Sequence, residues 1–109
     1  MKYRNTLQKG SVRYIVFRET DTWYAVGLEF NIVESGSTPQ EALLLLFEAL
    51  QGYVESARKI KARPQILNQK ADPEYEELWN AQREQKKIPT REVFSTGEFS
   101  IPRRPLLPV

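Results

Sequence analysis

The sequence predicts an α+β fold: a small antiparallel sheet of three to four strands packed on one long helix, with a short second helix and an extended C-terminal arm. Three observations carry this expectation. Residues 12–18 and 23–30 are runs rich in β-branched and aromatic residues, joined by the polar stretch Glu19-Thr20-Asp21-Thr22 at hairpin spacing. Thr38-Pro39-Gln40-Glu41 then opens a helix that nothing interrupts before Pro64. Residues 92–101 return to an extended pattern only after a second helix, so strands flank helices rather than alternate with them.

The first strand, VRYIVFR at 12–18, is bounded by Gly10-Ser11 and Thr20-Asp21. The second, WYAVGLEF at 23–30, alternates: Tyr24, Val26, Leu28 and Phe30 point one way, and Trp23, Ala25, Gly27 and Glu29 the other. The bulkier row is the natural core face, and one sheet face is expected to be covered. Asn31-Ile32-Val33-Glu34 is long enough for a third strand before Ser35-Gly36-Ser37 breaks the pattern.

Thr38 suits the cap, Pro39 the first helical position and Glu41 the third, so the long helix should run from about Pro39 to about Ala62. Proline at 64 disfavours helix at Arg63. At 3.6 residues per turn, Ala42, Leu43, Leu46, Phe47, Leu50, Tyr53, Val54 and Ala57 share one sector. Leu45, Ala49 and Ile60 widen it to roughly 200°, about twice the stripe of an ordinary surface helix. Leu44 lies outside it, beside Gln51, Glu55 and Arg58. Such a helix has one face for the sheet and a flank that needs a second cover. Asp72-Pro73 is expected to cap a helix over 73–85 with Tyr75, Leu78 and Trp79 as its stripe. EVFSTGEFSI, 92–101, reads either as two very short strands around Thr96-Gly97 or as one strand with a bulge. The three prolines in residues 102–109 exclude a central strand or helix there, leaving a free tail or an arm over a neighbouring surface.

A chain of 109 residues makes one small domain. It divides into a β-β-β-α core at 1–63 and an extension at 64–109 within the same domain. Apolar residues at 40% and charged residues at 28% fit a globular chain rather than a disordered one. No run resembles a signal peptide or a membrane span, and a cytoplasmic home is expected. Residues 1–56 carry five basic and seven acidic side chains; residues 57–109 carry eleven and seven. The basic half can contact nucleic acid through Arg58, Lys59, Lys61, Arg63, Lys86, Lys87, Arg103 and Arg104. The simpler account is a solvated surface, with 58–63 complementing a helix C-terminus.

Absent chemistry narrows the function. There is no cysteine and no histidine, which removes thiolate chemistry and the commonest general base and metal ligand. No Gly-rich phosphate loop occurs. Glu29, Glu34 and Glu48 could meet only as a carboxylate metal site, and each reads more simply as a solvent group. The expectation is a non-enzyme with no cofactor and no metal. Tyr14, Phe17, Trp23, Tyr24 and Phe30 invite comparison with base-stacking sheets, but alternation assigns Tyr24 and Phe30 to the core. Trp23 shares its row with Glu29 and suits a protein anchor.

RYIVFRETDTWYAVGLEFNIVESGSTPQEALLLLFEALQGYVES, residues 13–56, resembles the core of the HicB-like antitoxins. The matching positions are Trp23 to Val26, Gly36, Thr38, Glu41, Ala42, Tyr53 and Ser56, and the resembling stretch covers about two-fifths of the chain. The resemblance implies a degenerate, partial ribonuclease H-like core that binds and silences HicA, a small RNA-cleaving toxin. With no carboxylate inside strand 12–18, such a core lacks the acid that holds catalytic metal. Two departures stand out. Phe30-Asn31 replaces the family's Pro and Gly after the second strand, and residues 64–109 contain no second helix placed to enter a DNA groove. The expected function is therefore non-enzymatic protein binding, with a HicA-like toxin as one partner and a second copy of the chain as another. The candidate contact residues are Trp23, Glu29, Leu44 and Phe47. The alternative is a stand-alone HicB-like protein binding nucleic acid through Arg58, Lys59, Lys61 and Arg63.

Overall fold

The computed structural model describes residues 3–88 and 91–102. Four strands form one sheet: β1 (Ser11–Glu19), β2 (Thr22–Gly27), β3 (Ile32–Gly36) and β4 (Glu92–Ser100). Their order is β3-β2-β1-β4, and every neighbouring pair is antiparallel. Two helices complete the α+β fold, α1 (Pro39–Lys59) and α2 (Pro73–Arg83).

Glu19 pairs with Thr22, so the β1–β2 hairpin turns on two residues, with Thr20 at φ 60 in the left-handed region such turns demand. β2 stops at Gly27, three residues before the sequence pattern suggests. A 3-10 turn over Leu28–Phe30 follows, and Asn31 adopts φ 53 to reverse the chain into β3. That turn breaks the alternation. Phe30 swings to the opposite side from Tyr24 and Val26, and its ring meets Tyr53 of α1 at 4.7 Å.

The two sheet faces correct the expected layering. α1 does not sit on the bulky Tyr24–Val26 row; it sits on the row of Trp23, Ala25 and Gly27. There Val12, Val16 and Ala25 close against Ala42, Leu46, Leu50, Val54 and Ala57. Small residues let the helix come close: a Cβ on Gly27 would lie 2.7 Å from Leu50 Cδ2. The other face is covered too. Ile15, Phe17 and Val26 pack with Leu28, Ala71 and Leu78, and Tyr24, Tyr75 and Trp79 border them. The large side chains reach toward α2 across the wider gap.

The start of α1 is as expected. Thr38 Oγ1 accepts the Glu41 N–H at 3.0 Å, and Glu41 Oε1 accepts the Ser37 N–H at 2.8 Å. The helix ends at Lys59, short of Ala62, because Lys61 turns to φ 52 and the Ala62 N–H returns to the Ala57 carbonyl. Asp72 makes no side-chain cap; only its carbonyl accepts, from the Tyr75 and Glu76 N–H groups. α2 stops at Arg83 rather than 85. A 3-10 turn at Pro64–Leu67 links the helices, and buried Asn5 clasps it. Asn5 donates to the Leu67 carbonyl at 2.9 Å and accepts the Ser11 N–H at 2.9 Å, while Asn68 returns a bond to the Asn5 carbonyl.

β4 is one long strand. Its irregularity falls at Phe94, the extra residue between the pairs Val16–Ser95 and Phe17–Val93, and not at Thr96-Gly97. Ile101 is buried and donates its N–H to Gly10. The expectation for the Pro-rich tail falls on 103–109, outside the described residues, as do Arg103 and Arg104. Among the described residues no helix is long and apolar enough to cross a membrane.

Candidate functional site

α1 lies over β2 and β3 and leaves the same side of β1 and β4 less covered. An aromatic strip fills that opening. Trp23 meets Phe94 edge-on with ring centroids 5.8 Å apart, and the Arg18 guanidinium stands 5.5 Å over the Trp23 ring. Tyr14 meets Phe47 edge-on at 5.3 Å, and Phe47 meets Phe99 at 5.6 Å. Tyr14 lies across Gly97, where any Cβ would strike its ring. Phe94 is 50% exposed, and Leu44, one helical step from Phe47, is 61% exposed. Ser95 Oγ is enclosed beside this strip with no hydrogen-bond partner. Half-exposed aromatics on a rigid sheet are what a protein contact uses as anchors.

Three of the four expected contact residues, Trp23, Leu44 and Phe47, therefore share one side of the molecule. Glu29 does not join them. The 3-10 turn aims it at β1, where its carboxylate accepts the Arg13 backbone N–H at 2.7 Å and Arg13 Nε at 2.5 Å. Arg13 spends its remaining nitrogens on Glu76 of α2, at 2.7 and 2.9 Å, and its guanidinium lies 5.4 Å from the Trp79 ring. The bond to Glu76 raises the Arg13 pKa further above its ordinary value, and the same bond holds the Glu76 carboxyl below the usual range. This cluster fastens α2 to the sheet.

Phe94 and Phe99 are the strip residues that pattern reading missed. Five positions apart, they fall on opposite faces of a regular strand; the extra residue at Phe94 puts both on the α1 side. That odd spacing was the available signal.

The basic group separates as well. Arg58 is a tie: Nε donates to the Leu7 carbonyl at 2.8 Å and Nη2 to the Pro102 carbonyl. Lys59, Lys61 and Arg63 are exposed at the end of α1, with no ion pair among the described residues. A cleft of about 450 Å³ between α2 and the start of β4 is lined by Leu78, Gln82, Lys86, Lys87 and Arg91. Arg91 is already held there by Glu74 at 2.7 Å and Glu19 at 2.6 Å, and those contacts raise its pKa. Among the described residues no three carboxylates gather to hold a metal ion.

No family model, no curated protein and no solved structure matches this chain.

Proposed function

We propose that this chain is a non-enzymatic protein-binding module of the HicB-like kind, acting in the cytoplasm and neutralising a HicA-like RNA-cleaving toxin by direct contact. The observation that carries the proposal is the open strip of Trp23, Phe47, Phe94 and Leu44 beside β4. The resemblance of residues 13–56 supports the partner class, and the absence of any carboxylate in Val12 to Arg18 fits a core without nuclease chemistry. The test is a search of the neighbouring reading frames for a HicA-like toxin, followed by co-expression with it; the absence of such a frame would count against the proposal. The chain should restore growth and co-purify with the toxin. Phe94→Asp with Leu44→Asp should lose both while keeping the wild-type circular dichroism spectrum. Rescue by that double variant, or no co-purification by the wild type, would sink the proposal.

Three cations at the end of α1, without an ion pair among the described residues, favour a second reading, a nucleic-acid contact through Arg58, Lys59, Lys61 and Arg63. Because Arg58 is engaged with backbone carbonyls, the contact rests on the other three. Retardation of duplex DNA or RNA should then weaken with salt, and replacing Lys59, Lys61 and Arg63 by Ala should reduce the salt slope by about 2–3.

A further inference from the structure

We infer that β4 pairs antiparallel with β4 of a second copy of this chain, joining two sheets into one of eight strands. The inference rests on reading the aromatic strip as a contact surface, and it names one occupant of the strand edge beside it.

β4 is the outer strand of the sheet, nine residues and so about 30 Å long. Among the described residues nothing pairs with its outer edge. Natural edges are blunted by lysine, by proline, by a bulge or by shortness, and the bulge of β4 at Phe94 lies toward one end, clear of Ser95–Ser100. Glu92–Ser100 has neither residue type, and it is nearly twice as long as β3, the five-residue strand at the other edge.

The edge is also prepared to meet itself. Each of its carboxylates brings its own cation: Glu92 is held by Arg18 at 2.6 Å, and Glu98 by Arg4 at 3.3 Å with a further bond from Ser11 Oγ at 3.1 Å. Edge-to-edge approach therefore brings together paired charges, not bare like charges. A two-fold axis normal to the sheet, through Gly97, keeps side chains of one face opposite side chains of the same face over Ser95–Phe99. Thr96 then faces Glu98 of the second copy, and no carboxylate faces a carboxylate. The same axis leaves both α1 helices on one face. Between them runs a trough floored by β1 and β4 of each copy, with the Phe94 and Phe99 rings of both lining it. Strand pairing alone falls short of the ~800 Å² per partner of a stable contact, so a micromolar dimer is expected.

The chain has no cysteine, so a single introduced thiol reports without background. Light scattering of the full chain should show the mass doubling as concentration rises through the micromolar range. Thr96→Cys, within about 8 Å of its counterpart across such an axis, should be cross-linked by a short bis-maleimide at least tenfold faster than Glu55→Cys on the exposed side of α1. A monomer at every concentration overturns the inference. So does a dimer in which the two thiols cross-link at equal rates, since its contact then lies elsewhere. Neither result touches the toxin proposal, which is read by co-purification.

Discussion

Arg13 leaves β1 on the α2 side and meets Glu29, Glu76 and the Trp79 ring together. Its side chain is 22% exposed, that of Glu29 15% and that of Glu76 37%, so solvent softens the loss at Glu76 but does little at Glu29. Replacing Arg13 by Met keeps the apolar stem and strands two carboxylates. The expected cost is about 2–3 kcal/mol, between the fraction of a kilocalorie of a surface pair and the ~3–5 of a fully buried one. Urea unfolding at neutral pH measures it. The pH dependence follows from Glu76, whose pKa is lowered in the folded state by the Arg13 bond. The unfolded chain then binds the proton first as pH falls. The pair's stabilisation is complete above the ordinary carboxylate pKa, about 4.3, and is lost below it. Arg13→Met should therefore show a shallower loss of stability on acidification than the wild type. An unchanged acid limb would mean that Glu76 owes its shift to something other than Arg13. None of this was legible in the sequence, because alternation assigns Glu29 to the Trp23 row. The direction of Glu29 depends on where β2 yields to a 3-10 turn, and that depends on Asn31 accepting φ 53.

α1 was the most legible element, since its start is written in local chemistry. Thr38, Pro39 and Glu41 take the roles their types suggest, and these bonds need no tertiary partner. Its wide apolar sector was legible as a width but not as a division of labour. The structure divides it. Leu46 is fully buried over the sheet, Phe47 borders the aromatic strip, and Leu44 stands open. Leu46→Ala should cost about 3–4 kcal/mol as a cavity opens against Gly27 and Ala25, while Leu44→Ala should change stability by less than ~0.5. Thermal or chemical denaturation of the two single variants checks the contrast; comparable losses would mean that the strip is internally covered. The choice of sheet face was misread for a physical reason. Bulk marks burial, but it does not mark the nearest neighbour. The closest helix lies on the row with the smallest residues, Ala25 and Gly27, because only there can α1 bring Leu50 so near to the strand. A Gly in an otherwise bulky strand was the signal available for that face.

At the scale of the whole molecule the sheet is shared by two layers that never need to touch. α1 takes Val12 and Val16 of β1, and the α2 side takes Ile15 and Phe17 of the same strand. β1 is thus central in two senses: it lies between β2 and β4, and its alternate residues belong to opposite cores. The described part of the extension is bound into both. Leu67 and Ile101 lie in the α1 core, while Ala71 and Leu78 lie in the other. If either layer opens, β1 loses packing on one face and cannot hold its pairing with β4 unaided. The chain should therefore unfold in one step in spite of its two separate cores. Leu78→Ala, fully buried on the α2 side, is the probe, because it weakens the layer held mainly by a short helix and two arginines. It should lower stability by about 2–4 kcal/mol and move the whole transition. Tryptophan fluorescence separates the faces when one tryptophan is removed: Trp79→Phe leaves Trp23 beside α1 as the reporter, and Trp23→Phe leaves Trp79 on α2. Coincident midpoints from the two probes support one cooperative unit. An earlier Trp79 transition, with the Trp23 signal intact, would instead make α2 a detachable layer. The free sheet would then expose Phe17, Tyr24 and Val26 as a second apolar face.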